Sequence, residues 1–313
     1  MKTETIHKIG KRILNSNRGK RLYYSISKIL YYIIPDEQFL RIMYRLRIGE
    51  SLNLRLPRRF TEKIQWMKLY YRTPLLTVMA DKYAVRDVVE TKCGKEVLIP
   101  LLGVYRSFDE IDFNALPSSF ILKANHGSGW NMICLDKRTF DLEEAKRNFD
   151  LWMSLNYYYT GRSWEYKDIE PKIVCEQFIS TKNNIGLDDF KIHCFNGQPV
   201  YIQLITDRYN GEPYESFYDK NWNIQPFTLT YKRHIETIEK PGNLSKMISI
   251  ATKLSAGLPY ARIDLYNNGG EIYFGEVTLH PANGMDNFSP PEQDLVLGNL
   301  IKMDMTKKRT TLL

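Results

Sequence analysis

Four residues in the last quarter of the sequence, Arg262, Asp264, Glu276 and Thr278, have types and spacing that suit metal and phosphate chemistry. They stand in two apolar runs, Ala261-Arg-Ile-Asp-Leu-Tyr and Glu271-Ile-Tyr-Phe-Gly-Glu-Val-Thr-Leu, joined by the turn Asn267-Asn-Gly-Gly. Strand side chains alternate between faces, so Arg262 shares a face with Asp264, and Glu276 with Thr278. Two carboxylates from adjacent strands can hold one or two hard cations such as Mg²⁺, which keep their other positions for water and phosphate oxygens. An arginine beside them can bind an anion bidentately. The same residues also fit a solvent-facing hairpin with Arg–Asp–Glu cross-strand pairs. The hairpin alone leaves both readings open.

A second stretch suits phosphate. Ser118 to Asn131, S-S-F-I-L-K-A-N-H-G-S-G-W-N, reads as a short apolar strand ending in Lys123, followed by a glycine-rich turn. The amides of Gly127, Ser128 and Gly129 can approach an anion closely, because glycine tolerates positive φ and has no Cβ in the way. Lys123 adds a mobile charge beside them. The plain alternative is a hairpin turn with a snorkelling lysine. His126, inside the loop, either touches phosphate or packs the loop. His193 and His280 read as packing residues.

The elements that must position these groups are set by periodicity. Residues 1 to 34 are expected to be helical up to Pro35, and Gln38 to Ile48 to form a second helix. Further helices are expected from Thr61, over Leu75 to Val89, over Asp141 to Tyr159 and over Leu244 to Leu254. The run from Glu96 to Tyr105 reads as a buried strand, and Lys172 to Ile179 as a strand holding one carboxylate. Phe195-Asn-Gly-Gln between two apolar runs signals a hairpin. Antiparallel hairpins set among helices make an α+β protein, not a series of βαβ units.

A chain of 313 residues with 43% hydrophobic residues can bury a sizeable core, with about two domains expected. Cys93, Cys134, Cys175 and Cys194 form no C-x-x-C pair, which argues against a zinc knuckle and suits a reducing, cytoplasmic setting. The charge is uneven. Residues 1 to 63 hold 15 Lys+Arg against 5 Asp+Glu, a surplus of +10, so the remainder of the +8 chain sums to −2. That excludes a generally basic nucleic-acid binder. With Tyr and Ile interleaved, residues 1–50 are read as a surface for an anionic membrane, for another protein or for the catalytic domains themselves, or as a simply solvated helix.

The order Lys82, Lys123 with its loop, Glu176, Arg262/Asp264, Glu276 resembles the ATP-grasp superfamily, and more closely its branch similar to the teichuronopeptide-biosynthesis TupA proteins. The resemblance is carried by D-K-Y-A-V-R (81–86), F-I-L-K-A-N-H-G-S-G-W-N (120–131), V-C-E-Q-F-I (174–179), D-F-K-I-H-C-F-N-G (189–197), A-R-I-D-L-Y (261–266) and F-G-E-V-T-L-H-P-A-N-G (274–284). It implies two α+β subdomains gripping ATP between antiparallel sheets, after a basic helical N-terminal segment. The expected division is 1–60, 61–175, 176–305 and a tail at 306–313. Lys82 and Lys123 would contact phosphates, with the loop including His126 over them, and Glu176 and Phe178 would meet adenine and ribose. Asp189 would take a ribose hydroxyl and Lys191 a phosphate. Asp264 and Glu276 would be the Mg²⁺ carboxylates, and Arg262 would steady the transferred phosphoryl group. Thr278 stands where many members of the superfamily place an asparagine ligand, which puts the usual two-metal arrangement in question.

The implied activity is ATP-dependent carboxylate–amine ligation through an acyl phosphate. Its partners would be a small carboxylate and an amine or saccharide-linked acceptor, in capsular or other surface-polymer synthesis. Such an enzyme would be cytoplasmic, peripheral to the inner face of the membrane. A glycosyltransferase of the same pathway is the alternative, and it would require a nucleotide-sugar Rossmann half. A non-catalytic membrane-associated scaffold would account for residues 1 to 50 but leave the carboxylate hairpin idle.

Overall fold

The computed structural model describes residues 17–179, 187–206, 213–234 and 238–304. Residues 1–16 of the expected first helix and the tail at 306–313 lie outside them. Contacts divide the chain into two units, one taking the chain up to Ile42 with Leu101–Phe178, the other Met43–Pro100 with Ile179 onward. Residues 61–100, expected to group with 101–175, cluster with the C-terminal sheet.

The first unit is built on a four-stranded antiparallel sheet of order β1-β4-β2-β3, with β1 Leu101–Tyr105, β2 Phe120–Ala124, β3 Asn131–Cys134 and β4 Ile173–Gln177. Phe120, Leu122 and Ala124 alternate along β2 and bury one face with Ile173 and Cys175 of β4. Helix α6, Leu142–Met153, supplies Ala145, Phe149 and Trp152 to this core. Its N-cap is Asp141, whose carboxylate accepts the Glu144 amide at 2.8 Å. It ends at Met153, short of the expected Tyr159, and a one-turn helix α7, Tyr158–Gly161, comes next. Asn156 stops it: its side chain accepts the Tyr158 amide and donates to the Lys167 carbonyl, fixing a turn there.

Helix α1, Asn17–Ile33, packs Tyr24 against Trp130 (centroids 5.8 Å) and Tyr31 against Tyr158 (5.5 Å). Helix α2, Asp36–Ile48, opens with Asp36, which accepts the Tyr158 hydroxyl and pairs with the buried Arg162 at 3.1 Å. The Arg162 guanidinium also lies 4.1 Å from the centroid of the Phe39 ring. Packing on the body of the unit is therefore established for this part of the N-terminal segment.

The second unit carries a six-stranded sheet of order β10-β9-β5-β6-β7-β8. Its strands are β5 Asp188–Phe195, β6 Gln198–Thr206, β7 Tyr214–Asp219, β8 Lys232–Arg233, β9 Tyr260–Asn268 and β10 Glu271–Thr278. All neighbours are antiparallel except the short β7–β8 pair. Phe190, Ile192, Ile263 and Leu265 face helix α8, Leu244–Ser255, which buries Met247, Ile250, Ala251 and Leu254. Each of the larger side chains among these, from Ile to Phe, contributes roughly 1.5–3 kcal/mol when fully buried.

Helix α3, Phe60–Tyr70, anchors the chain beyond β10. Gln65 Nε2 donates to the Asn283 and Gly284 carbonyls at 2.8 Å, and the fully buried Lys68 donates to Asn283 at 2.6 Å. Thr61 donates through its amide and hydroxyl to Asp294, in helix α9, Gln293–Leu300.

Two expected elements are corrected. The expected helix Leu75–Val89 is two, α4 Pro74–Ala80 and α5 Val85–Cys93. Asp81 breaks it, its side chain accepting the Tyr83 amide at 2.8 Å and the Ala84 amide at 3.3 Å. The expected buried strand from Glu96 is strand only from Leu101, after Pro100, and as the edge strand β1 it is half exposed.

Candidate functional site

Register, more than alternation, assembles the site in the second unit. The turn between β9 and β10 is the pair Gly269–Gly270, both at positive φ, with Asn268 opposite Glu271. Counting outwards from that turn, Leu265 pairs with Phe274, and uninterrupted pairing would then set Asp264 against Gly275. A β-bulge at Gly275 intervenes, so Glu276 stands opposite Asp264 and Thr278 opposite Arg262. A Cβ on Gly275 would come within 3.1 Å of the Asp264 carbonyl, so the bulge favours glycine.

Across the sheet the same face then carries two polar rows. One runs Gln203, Lys191, Asp264, Glu276 and the other Tyr201, His193, Arg262, Thr278, over β6, β5, β9 and β10. Arg262 clamps Asp264 bidentately, Nε to Oδ1 at 2.7 Å and Nη2 to Oδ2 at 2.8 Å. Lys191 Nζ donates to Asp264 at 2.5 Å and to Asp189 at 2.8 Å. Arg262 Nη2 also donates to the Thr278 hydroxyl at 3.0 Å, which donates to Glu276 at 3.3 Å. Lys82, carried by the Asp81 turn, reaches Glu276 at 3.5 Å. Lys82, Lys191, Arg262 and Thr278 thus each contact Asp264 or Glu276 directly, and Asp189 joins through Lys191, so all seven expected residues of this unit form one network.

The charges hold one another. Burial alone would push Asp264 up, but Arg262 and then Lys191 outweigh it and hold its carboxyl at about 2. Burial opposes Glu276 likewise, and Lys82 leads the groups that bring it below the usual value. Behind them lies a chain absent from the expected site. Gln203 donates through Nε2 to the buried Glu215 at 2.8 Å, so its carbonyl accepts from His193 Nε2 at 3.3 Å. His193 Nδ1 then accepts the Tyr260 hydroxyl at 2.9 Å. Burial, assisted by Arg262, pushes His193 down to about 3, so it is neutral, which is the packing role expected of it. Asp286 is pushed up to about 6 by burial, against the pull of Arg262.

The oxygen donors Asp264, Glu276 and Thr278 suit a hard cation, and three positive side chains now balance the two carboxylates. Among the described residues no group of three or more His, Cys, Asp and Glu could hold a metal. Two carboxylates and a hydroxyl match Mg²⁺, which takes its remaining ligands from water and phosphate.

In the first unit Lys123 and Glu176 sit diagonally on the β2–β4 pair, on the face opposite the core, and meet at 2.6 Å. Both side chains are largely buried. The glycine loop after β2 has Gly127 packed under the Trp130 ring, where a Cβ would come within 2.3 Å. Gly129 takes φ +72°, and Ser128 and Gly129 are exposed at the tip. His126 is buried, with Nδ1 3.1 Å from Asn125 Oδ1 and Nε2 3.1 Å from the Trp152 carbonyl, a loop-packing geometry. Phe178 comes just after β4 and is half buried.

Over residues 62–302 the sequence matches the TupA-like ATP-grasp family. The chain belongs to that family. Membership places this TupA-like chain among the ATP-grasp enzymes, and its helices and antiparallel sheets agree with that fold class. Solved structures similar to it include D-alanine–D-alanine ligase from Bacillus anthracis with ATP, at 16% identity and TM-score 0.38, over 66% of this chain and 55% of that one. Another is the ATP-grasp ligase PsnB with minimal precursor, Mg and ADP, at 12% and 0.38, over 82% and 66%. The D-cycloserine synthetase DcsG stands at 11% and 0.39, over 73% and 72%. The chain thus spans little more than half of the Bacillus ligase. No curated protein matches it. Among the described residues the only parallel ladder is β7–β8, so the βαβ half that a glycosyltransferase would require is not among them.

Proposed function

We propose that the TupA-like chain is an ATP-dependent carboxylate–amine ligase. The observation that carries the reading is the sheet face holding Lys191, Arg262, Asp264, Glu276 and Thr278 in one network, inside a chain of this family. In the reaction a substrate carboxylate oxygen attacks the γ-phosphorus of ATP, ADP leaves, and an acyl phosphate results. An amine then attacks the acyl carbon, phosphate leaves, and after loss of a proton the amide remains.

Arg262 and Lys191 are assigned to the phosphoryl oxygens, where fixed positive charge in a buried site stabilises negative charge developing in the transition state. Lys82 and Lys123 are assigned to the remaining phosphates, with the amides of Gly127, Ser128 and Gly129. Glu176, Phe178 and Asp189 are assigned to the nucleoside. Mg²⁺, held by Asp264 and Glu276 with Thr278 or a water, would neutralise phosphate charge.

The acceptor is proposed to be an amine or a saccharide-linked group of a capsular or cell-wall polymer, and the basic N-terminal segment to bring the enzyme to the inner face of the membrane. Incubation with Mg·ATP and pools of candidate acids and amines tests the reading. ADP and phosphate should appear only when both substrates are present. Release with neither, or with one alone, would count against ligation.

A further inference from the structure

Helix α1 has apolar residues on two sides, and the fold uses one. Ser27, Tyr24 and Tyr31 face the body of the first unit, with both rings against aromatic neighbours. On another side Leu22, Ile26, Ile29 and Ile33 recur at i, i+4, i+7 and i+11, one continuous stripe at helical period. Each is 47–69% exposed, and Tyr32 beside them is 72% exposed. Scattered apolar side chains on a surface need no explanation, but four in register along one helix form a patch that does.

Charge says what covers it. Arg18, Arg21 and Lys28 are exposed on one side of the stripe, Arg18 adjoining it and the other two roughly a third of a turn round the helix. Between Thr5 and Pro35 the sequence has seven Lys and Arg and no Asp or Glu. Arg21 and Lys28 also line an open cavity of about 640 Å³ with Tyr24, Ser25, Asn156 and the one carboxylate Asp150, so two cations face one acidic group there.

We propose that this face of α1 lies in the interface of an anionic bilayer, with the four aliphatic side chains at the acyl boundary and the three cations among lipid phosphates. An in-plane amphipathic helix combines an apolar face with a basic flank in this way. No described helix is long and apolar enough to cross a membrane, so the contact is peripheral. A second copy fits less well. A two-fold contact would bring like cations together, and four side chains fall short of the roughly 1,200 Å² of a stable interface. The inference rests on the membrane placement proposed above and not on ligation, which is tested without lipid.

The test floats the full chain with vesicles of phosphatidylcholine alone or with phosphatidylglycerol, at low and high salt. An Ile26→Ser/Ile29→Ser variant removes apolar area at exposed positions while leaving net charge unchanged, and its melting temperature checks the fold. The wild type should bind the phosphatidylglycerol vesicles, release with salt and ignore phosphatidylcholine, and the variant should lose about tenfold in affinity or more. The proposal is overturned if the variant binds as the wild type does, if both lipids bind equally, or if neither binds at low salt. Wild-type dimers that the same substitutions dissociate would assign the face to a second copy instead.

Discussion

In the first unit, Lys123 and Glu176 place one ammonium against one carboxylate at 2.6 Å, across neighbouring strands. In the second, Lys82, Lys191 and Arg262 are distributed over Asp189, Asp264 and Glu276, with Asp264 taking three of the contacts. Both arrangements keep charge under cover, at different risk. A pair whose partner is removed leaves one buried charge to be solvated locally, whereas removing the hub of a network weakens the hold on two cations at once, leaving Lys191 with Asp189 and Arg262 with Thr278 and a 3.8 Å contact to Glu276. The difference also shows in exposure. Asp264 is almost inaccessible, while the Glu276 side chain remains about a third exposed, at the edge where a substrate group can reach it.

The sharpest way to break that comparison is Glu276→Gln. If Glu276 is the accessible ligand of the network, turnover of ATP should fall more than about 100-fold, beyond the cost of losing an outer-shell partner of a metal. The melting temperature should stay near that of the wild type. Normal turnover would remove Glu276 from the metal site, and unfolding would assign it a structural role. Asp264→Asn comes next. It leaves Arg262 and Lys191 facing a neutral amide, and urea unfolding should show a loss of about 3–5 kcal/mol. A loss no larger than that of Glu276→Gln would mean that Asp264 is not the hub.

Lys123→Ala is the smaller effect, on the simpler arrangement. Nucleotide affinity should weaken by about 1.5–3 kcal/mol, the range for a charge-assisted hydrogen bond. Adding Glu176→Gln should recover the stability, though not the affinity, lost with the lysine. Titration calorimetry showing unchanged affinity would detach Lys123 from the nucleotide.

The last prediction concerns acid. His193 sits at about 3, below its usual 6.5, so below pH 6.5 the unfolded chain binds a proton that the folded one refuses, and stability falls with pH. Asp286, raised to about 6 from 3.8, has the opposite sign, since its folded form takes up a proton first and gains stability as pH falls through 6. The two largely offset each other between pH 6 and 4. An Asp286→Asn variant should therefore lose stability more steeply than the wild type as pH falls through that window, by up to about 1.4 kcal/mol per pH unit. Parallel profiles for the two proteins would show that the groups are not opposed.

The types of the charged residues and their order along the chain were legible in the sequence, and so were the hairpins. The Asn196–Gly197 and Gly269–Gly270 turns carry their own signals, and glycine at positive φ is what such turns need. Partners across strands were less legible, because pairing depends on register, which alternation within one strand does not fix. That is why His193 and Gln203, ten residues apart, could not be linked from their types, nor Glu215 found beneath them. The Leu75–Val89 helix misled for a local reason. Its apolar spacing continues through Asp81, whose side chain captures two backbone amides and ends the helix before Lys82.

The bulge at Gly275 makes the length of one strand a determinant of which side chain faces Asp264. Phe274 and Glu276 are two positions apart and in a regular strand would point the same way, yet Phe274 stands opposite Leu265 and Glu276 opposite Asp264. Deleting Gly275 would preserve every charged side chain, the net charge and the apolar content of β10. Regular pairing from the turn would then move Glu276 into the vacated position opposite Asp264 and carry Thr278 along with it, so the site itself could survive the loss. Inserting a second residue while the bulge is kept has the other outcome, because it sets Glu276 opposite Ile263, on the side packed by α8. With the bulge in place, one added residue turns the glutamate away from Asp264, an effect that a comparison of residue types alone would miss.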